Sequence, residues 1–273
     1  MGVTSRKSVS MNSVNACMQV ALFTLAGGML TTPVLAQDED SDVSYISTSS
    51  GIDVARDSNF EYLEAEISLN GDNSKPGFVL RGFAGTGHYD YRTDVPGGKV
   101  DADAFSGDVM IGYQGFYNAN VGWSAFIGAD LENNDLTPSD PENPVSGSQW
   151  GVKVAAEIET QDPKQIYYDL AGEYTTAYET YWSIARLGYK FAKFYIGPEG
   201  QFIGDETYDS QRIGAFVKFD LAITPHLKPE MTISSGYGFV QDKDSRPGDE
   251  GGFGGIAGSG NGAYLTVDAG FDF

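Results

Sequence analysis

Residues 263–273 read Ala263-Tyr264-Leu265-Thr266-Val267-Asp268-Ala269-Gly270-Phe271-Asp272-Phe273. The odd-numbered positions are apolar, and most even-numbered ones are polar or small. Successive side chains of an extended chain point to opposite faces, so this stretch specifies a strand with one oily face. Its last residue, Phe273, is an aromatic on that face. The segment 150–159 repeats the pattern more sharply. Trp150, Val152, Val154, Ala156 and Ile158 fall on one face, and Gly151, Lys153, Ala155, Glu157 and Glu159 on the other. A face carrying both charge signs, opposed by a purely apolar face, fits a wall with lipid outside and water inside.

The same alternation continues through the chain. In 60–69, Leu63, Ala65, Ile67 and Leu69 oppose Glu64, Glu66 and Ser68. In 122–131, Trp123, Ala125, Ile127, Ala129 and Leu131 oppose Ser124, Phe126 and Asp130. Segments 105–114, 212–221 and 228–239 behave alike. Segments 78–91, 167–176, 181–191 and 194–203 read as strands of open register, and the faces of Arg81 and Arg186 are left open. No exact sequence repeat is visible; only the alternation recurs.

The N-terminus reads as an export signal. A short basic region (Arg6, Lys7) precedes an apolar core around 20–26, and Val34-Leu35-Ala36 has small residues where a signal peptidase needs them. Cutting after Ala36 leaves 237 of the 273 residues. It also discards Cys17, so the mature chain has no thiol or disulfide chemistry. Losing Arg6 and Lys7 takes the net charge from −21 to −23. That charge excludes nucleic acid as a partner. An acidic leader, 37–42, follows the cut. An exported chain ending in an amphipathic strand with a terminal aromatic resembles a bacterial outer-membrane β-barrel, here spanning 43–273.

Connection lengths set the expected topology. Short links lie near 117–121, 161–165, 191–193 and 223–227. Long, acidic, Gly/Pro-rich ones lie near 92–102, 132–148 and 242–259, with a medium one at 204–209. Barrels of this class have short periplasmic turns and longer outer loops. Counting back from a periplasmic Phe273 places every short turn in the periplasm and requires an upward strand before 60–69. Only 43–54 can supply it. The expected fold is therefore an all-β antiparallel transmembrane barrel of 12 strands, or of ten if 43–54 lies outside the wall. Twelve strands of about ten membrane residues use about 120 residues, which the length permits. Such a barrel is wider than the eight-strand type that side chains fill, so some lumen is expected unless a loop or the leader plugs it.

Tests for chemistry return little. His226 sits in the turn Thr224-Pro225-His226. His88 lies near the outer end of a strand, where lipid hydrolases of outer membranes pair a serine with a histidine. Only Thr86 or a loop serine offers itself as partner, and no spacing supports the pair. Two histidines and no mature cysteine make no transition-metal site. The acidic loops at 140–142, 242–244 and 249–250 read as solubilising segments that bridge lipid headgroups through cations. The Gly-rich 251–260 lacks the lysine and helix of a phosphate loop. Glu157 and Glu159, about 6.5–7 Å apart along a strand, match glycosidase spacing but read better as lumen lining beside Lys153, Arg212 and Lys218. Gly197-Pro198-Glu199-Gly200 marks either a bulge that re-aims Glu199 or a local relief of curvature. No cofactor is expected. The expected lumen lining is Lys153, Glu157, Glu159, Glu199, Arg212 and Lys218, with Phe126, Tyr195 and Phe216 offering ring faces for sugars.

The stretches 77–83 with 89–91, 182–189, 196–199 and 212–216 resemble the cellulose biosynthesis protein BcsS family. The resemblance covers about 60–240. It implies a Gram-negative outer-membrane protein tied to cellulose production, with a β-glucan chain and cellulose synthase components as partners beside membrane lipid. No catalytic residue is carried over. The leading expectation is a non-enzymatic conduit or surface anchor for β-glucan. The alternatives are a small general porin or structural barrel, and an outer-membrane lipid hydrolase.

Overall fold

A computed structural model describes residues 44–93, 95–161, 163–221, 229–243 and 260–273. The expected signal (1–36), the leader (37–42), His226 and the acidic and Gly-rich positions at 244–259 lie outside these residues. Among the described residues, twelve strands form one closed antiparallel barrel. They are β1 (Ile46–Ala55), β2 (Ser58–Ser68), β3 (Gly77–Tyr91), β4 (Val100–Asn118), β5 (Val121–Thr137) and β6 (Gly147–Thr160). They continue as β7 (Ile166–Thr175), β8 (Tyr181–Phe191), β9 (Phe194–Gly204), β10 (Tyr208–Asp220), β11 (Glu230–Asp242) and β12 (Gly262–Asp272). Each pairs with its sequence neighbours, and β1 closes on β12 from Ser47↔Asp272 to Ala55↔Tyr264. The expected first strand is thus in the wall as β1, and the count is 12.

The terminal strand completes the ring. The Phe273 amide donates to the Ile46 carbonyl, and the Tyr45 amide to the Phe273 carbonyl, each at 2.8 Å. Period 2 does the sorting along every strand. Val109, Ile127, Val152, Leu170 and Ile213 face out, while Arg81, Asp108, Lys153, Glu199, Arg212 and Lys218 are buried within. Aromatics gather at both ends of the outer face. Phe78, Tyr113 and Trp123 cluster toward the rim that carries the termini, with centroids 5.4 and 6.1 Å apart. Tyr237 and Phe239 pair at 5.1 Å toward the distal rim, where Trp150 is also exposed. Two such belts are what a bilayer-spanning barrel requires.

The loop lengths differ from expectation. β5 runs to Thr137 and β6 starts at Gly147, so only 138–146 of the expected 132–148 loop is a loop; β4 likewise starts at Val100. Asp101, Asp103 and Asp135 gave these stretches a loop-like composition, yet they sit on the outer face of strands that project beyond the distal aromatic belt. The alternation survives on the inner face, where Tyr89, Tyr91, Val100, Ala102 and Ala104 pack as a buried cluster. In addition, β1 and β2 join through only Arg56 and Asp57, with Asp57 at φ +61°, while the terminal-rim link 69–76 is long. Strand direction, not loop length, carries the topology.

Pro198 introduces no bulge. The pairs Arg186↔Glu199 and Tyr189↔Ile196 keep one offset across Pro198, with no residue inserted between them, and the register through Ala215↔Pro198 and Gly214↔Glu199 is continuous on the other side. Pro198 points outward, and β8 approaches Gly197 so closely that a Cβ there would lie 1.8 Å from the Leu187 carbonyl oxygen.

Candidate functional site

The interior is the candidate site, and its side chains reach across it. Arg186 of β8 is one hub. Its Nε donates to Glu199 Oε2 at 2.7 Å, its Nη1 lies 3.3 Å from Asp169, and its Nη2 lies 3.6 Å from Asp268 on β12, four strands away round the wall. Glu199 is fully buried and accepts further bonds from Ser234 (2.6 Å), Gln201 (2.7 Å) and Tyr264 (2.9 Å). Tyr62 of β2 donates to Asp268 at 2.9 Å. Six elements, β2, β7, β8, β9, β11 and β12, thereby meet inside the barrel.

Arg81 of β3 is a second hub. It bonds Glu66 at 2.8 Å, lies 3.7 Å from Glu64, and is hydrogen-bonded to Glu157 of β6. Lys218 of β10 is a third, paired with Glu159 (2.7 Å) on β6 and Glu230 (2.6 Å) on β11, and donating to Tyr167 at 3.1 Å. Arg212 bonds Asp53 of β1 at 2.8 Å. Lys153 pairs with Asp108 at 2.9 Å and Glu173 at 3.0 Å. A charge taken out of water is stable only when opposite charges and hydrogen bonds surround it, and each of these cations is so surrounded.

The structure thus places Lys153, Glu157, Glu159, Glu199, Arg212 and Lys218 inside, each engaged with a neighbour. Phe126, Tyr195 and Phe216 are inside as well. The Arg81 guanidinium stands 3.8 Å over the Phe126 ring. Phe216 packs against Tyr167 at 5.6 Å with Arg186 at 5.8 Å. Tyr195 packs against Tyr167 at 5.7 Å, and its hydroxyl donates to the Pro163 carbonyl. Cations and rings occupy one another's faces.

Sequence reasoning left the two arginine hubs unplaced. Trp182 and Ile184 share the inner face with Arg186, and Val79 and Phe83 share it with Arg81, so both faces of β3 and β8 read as apolar. The signal was the parity of the neighbours, since Leu80 and Leu187 are plainly outward. Asp53, Asp268, Tyr62 and Tyr264 were missed because their partners lie on non-adjacent strands, and Asp169 because the face of its direct neighbour Arg186 was left open.

Loops fold over the distal rim. Tyr91 donates to Asp140 at 3.1 Å, and Asn143 to the Tyr91 hydroxyl at 2.8 Å. Asp140 of the expected solubilising loop is therefore buried, held inward by Tyr91. The Tyr178 hydroxyl donates to the Gly147 carbonyl at 2.8 Å, and the Glu206 amide to the Tyr178 carbonyl at 2.9 Å. Asp205 accepts from the Thr207 amide and hydroxyl, each at 2.6 Å. Burial pushes the Asp205 carboxyl up to about 6, against those hydrogen bonds and nearby Lys243. At the other rim, hydrogen bonds from Lys75 and Ser74 hold Asp72 down at about 2.

His88 faces outward at the distal rim, with Nδ1 3.0 Å from Asp103 Oδ1. The Thr86 hydroxyl is engaged with the Ala104 carbonyl at 3.1 Å. Among the described residues, no group of three or more His, Cys, Asp or Glu side chains is arranged to hold a metal.

The model of the cellulose biosynthesis protein BcsS family matches residues 48–273. Solved barrels align with low identity. The KdgM porin in complex with disordered oligogalacturonate aligns at 12% identity and TM-score 0.40, covering 83% of this chain and 99% of that one. The translocator domain of the autotransporter NalP from Neisseria meningitidis aligns at 10% identity and TM-score 0.42, covering 96% and 97%. The β domain of the Bordetella autotransporter Brka aligns at 9% identity and TM-score 0.44, covering 85% and 100%. Among curated proteins, none matches the chain.

Proposed function

We propose, from the premise that the chain belongs to the cellulose biosynthesis protein BcsS family, that this barrel is an outer-membrane anchor in cellulose production rather than an open conduit. One observation carries the choice. Arg186 meets Asp268 four strands away round the wall, and Arg81 and Lys218 make comparable links across the same interior. A sugar chain threading the lumen would have to break these pairs and leave charges unpaired in a confined space, which is strongly unfavourable. Stacking on Phe126 or Phe216 would likewise displace the arginines beside them. The surface that a glucan meets without such disruption is the acidic distal rim, and the surface presented to synthase components is the rim that carries the termini.

Planar-bilayer recording on the refolded mature protein tests this reading. The expected result is no steady conductance from a folded barrel. Steady conductance blocked by cello-oligosaccharides and not by malto-oligosaccharides would restore the conduit. Conductance without selective block would point to a general porin. In cells, loss of the protein should release cellulose into the medium while total synthesis continues.

A further inference from the structure

One region of the interior does not settle its charges internally. Asp108 of β4 and Asp130 of β5 are direct cross-strand partners, and their side chains are 1% and 0% exposed. Like charges placed opposite one another repel. Lys153 of β6 reaches them, but its ammonium bonds Asp108 Oδ2 at 2.9 Å and Glu173 at 3.0 Å, and stays 4.0 Å from Asp130. Its position is also drawn toward the Phe83 ring, 5.1 Å away. Asp108 Oδ1 and both Asp130 oxygens meet no hydrogen-bond partner. The Thr175 hydroxyl is a neighbouring donor that falls short of a formed bond. One ammonium therefore serves three carboxylates. Two residues along β5, Glu132 adds a fourth on the same face, bonded only to the neutral Thr180 hydroxyl at 2.9 Å.

We propose that Asp108 and Asp130 bind a hydrated divalent cation of the magnesium type, bridging β4 and β5 inside the barrel. Carboxylate oxygens are hard donors suited to such ions. Magnesium keeps several of its waters and binds through one or two carboxylates, whereas calcium takes six to eight oxygens. Two carboxylates fit the first and not the second, in keeping with the lack of a three-ligand cage among the described residues. The cation meets the three orphaned oxygens, and its waters reach the Thr175 hydroxyl. Lys153 remains on Asp108 Oδ2 and Glu173. The site is independent of the anchor reading, because it concerns the wall and not what the barrel holds.

The test uses the refolded mature protein stripped with a chelator and titrated with Mn²⁺, the free ion being read by electron paramagnetic resonance. The expected result is one tight Mn²⁺ per barrel, displaced by Mg²⁺. Its affinity should fall about tenfold or more in Asp130→Asn and in Asp108→Asn. It should be unchanged in Asp135→Asn, which alters an exposed distal carboxylate. Folding of each variant is checked by heat-modifiable migration, and two separate ligand variants guard against one failing to fold. Weak binding at many sites, equal in all variants, would overturn the proposal and assign the metal to the acidic surface. No Mn²⁺ binding, together with a thermal midpoint that rises in acid and loses that rise in Asp130→Asn, would also overturn it in favour of a shared proton.

Discussion

At the scale of the residue, burial decides what each charge does. Glu199 has no exposed side-chain surface and depends on Arg186 at 2.7 Å. Arg186→Gln removes the cation and leaves Glu199 and Asp268 without it. Breaking a buried pair in this way costs about 3–5 kcal/mol, so the urea midpoint of the refolded barrel should fall markedly. The double variant Arg186→Gln, Glu199→Gln should recover part of the loss. An Arg186→Gln barrel as stable as wild type would show the network to be dispensable. Asp205 behaves differently because burial raises its carboxyl to about 6, above an ordinary value of about 3.9. The folded loop then binds a proton more readily than the unfolded chain, and its stability falls as pH rises from about 4 to about 6, levelling off above. Hydrogen exchange of the Thr207 and Tyr208 amides, corrected for intrinsic rate, should be slower at about pH 4.5 than at about pH 7. Asp205→Asn should remove the difference.

At the scale of the element, close approach matters as much as pattern. β9 passes β8 so tightly that Gly197 has no room for a Cβ against the Leu187 carbonyl, whereas a Cβ at Gly200 would meet only the Arg212 carbonyl at 4.0 Å. Gly197→Ala should therefore cut the fraction of barrel that folds, measured by heat-modifiable migration, and Gly200→Ala should leave it near wild type. Equal folding of the two would defeat the packing account. The alternation of β6 and β12 was legible from their residues alone, because each has one face without any charged group. β3 and β8 were not, since aromatics and branched residues line their inner faces among the arginines. The tops of β4, β5 and β6 were read as loop because Asp101, Asp103 and Asp135 meet water there on the outside.

At the scale of the whole molecule, the described outer face is apolar between two aromatic belts, and the rims are polar. Strand parity puts the 119–120 turn at the rim with the termini and the 138–146 loop at the other. With the first in the periplasm, Glu142→Cys should react with a membrane-impermeant maleimide on intact cells. Asn120→Cys should react only after permeabilisation. No native cysteine follows Cys17 to confuse the result. The reverse pattern would invert the orientation.

The sequence by itself determined the barrel class and the face of most residues, and narrowed the strand count to 12 or ten. All three follow from a period-2 pattern that each strand carries locally, and from the requirement that both ends of a closed antiparallel ring share a rim. Only the tertiary structure decided what the interior does. Arg186 and Asp268 are 82 positions apart in sequence and meet because closure brings their strands to face one another. Likewise Asp108 and Asp130 read as ordinary lining until their pairing left three oxygens without a partner. Charge compensation inside a barrel depends on distances between strands that no local pattern encodes.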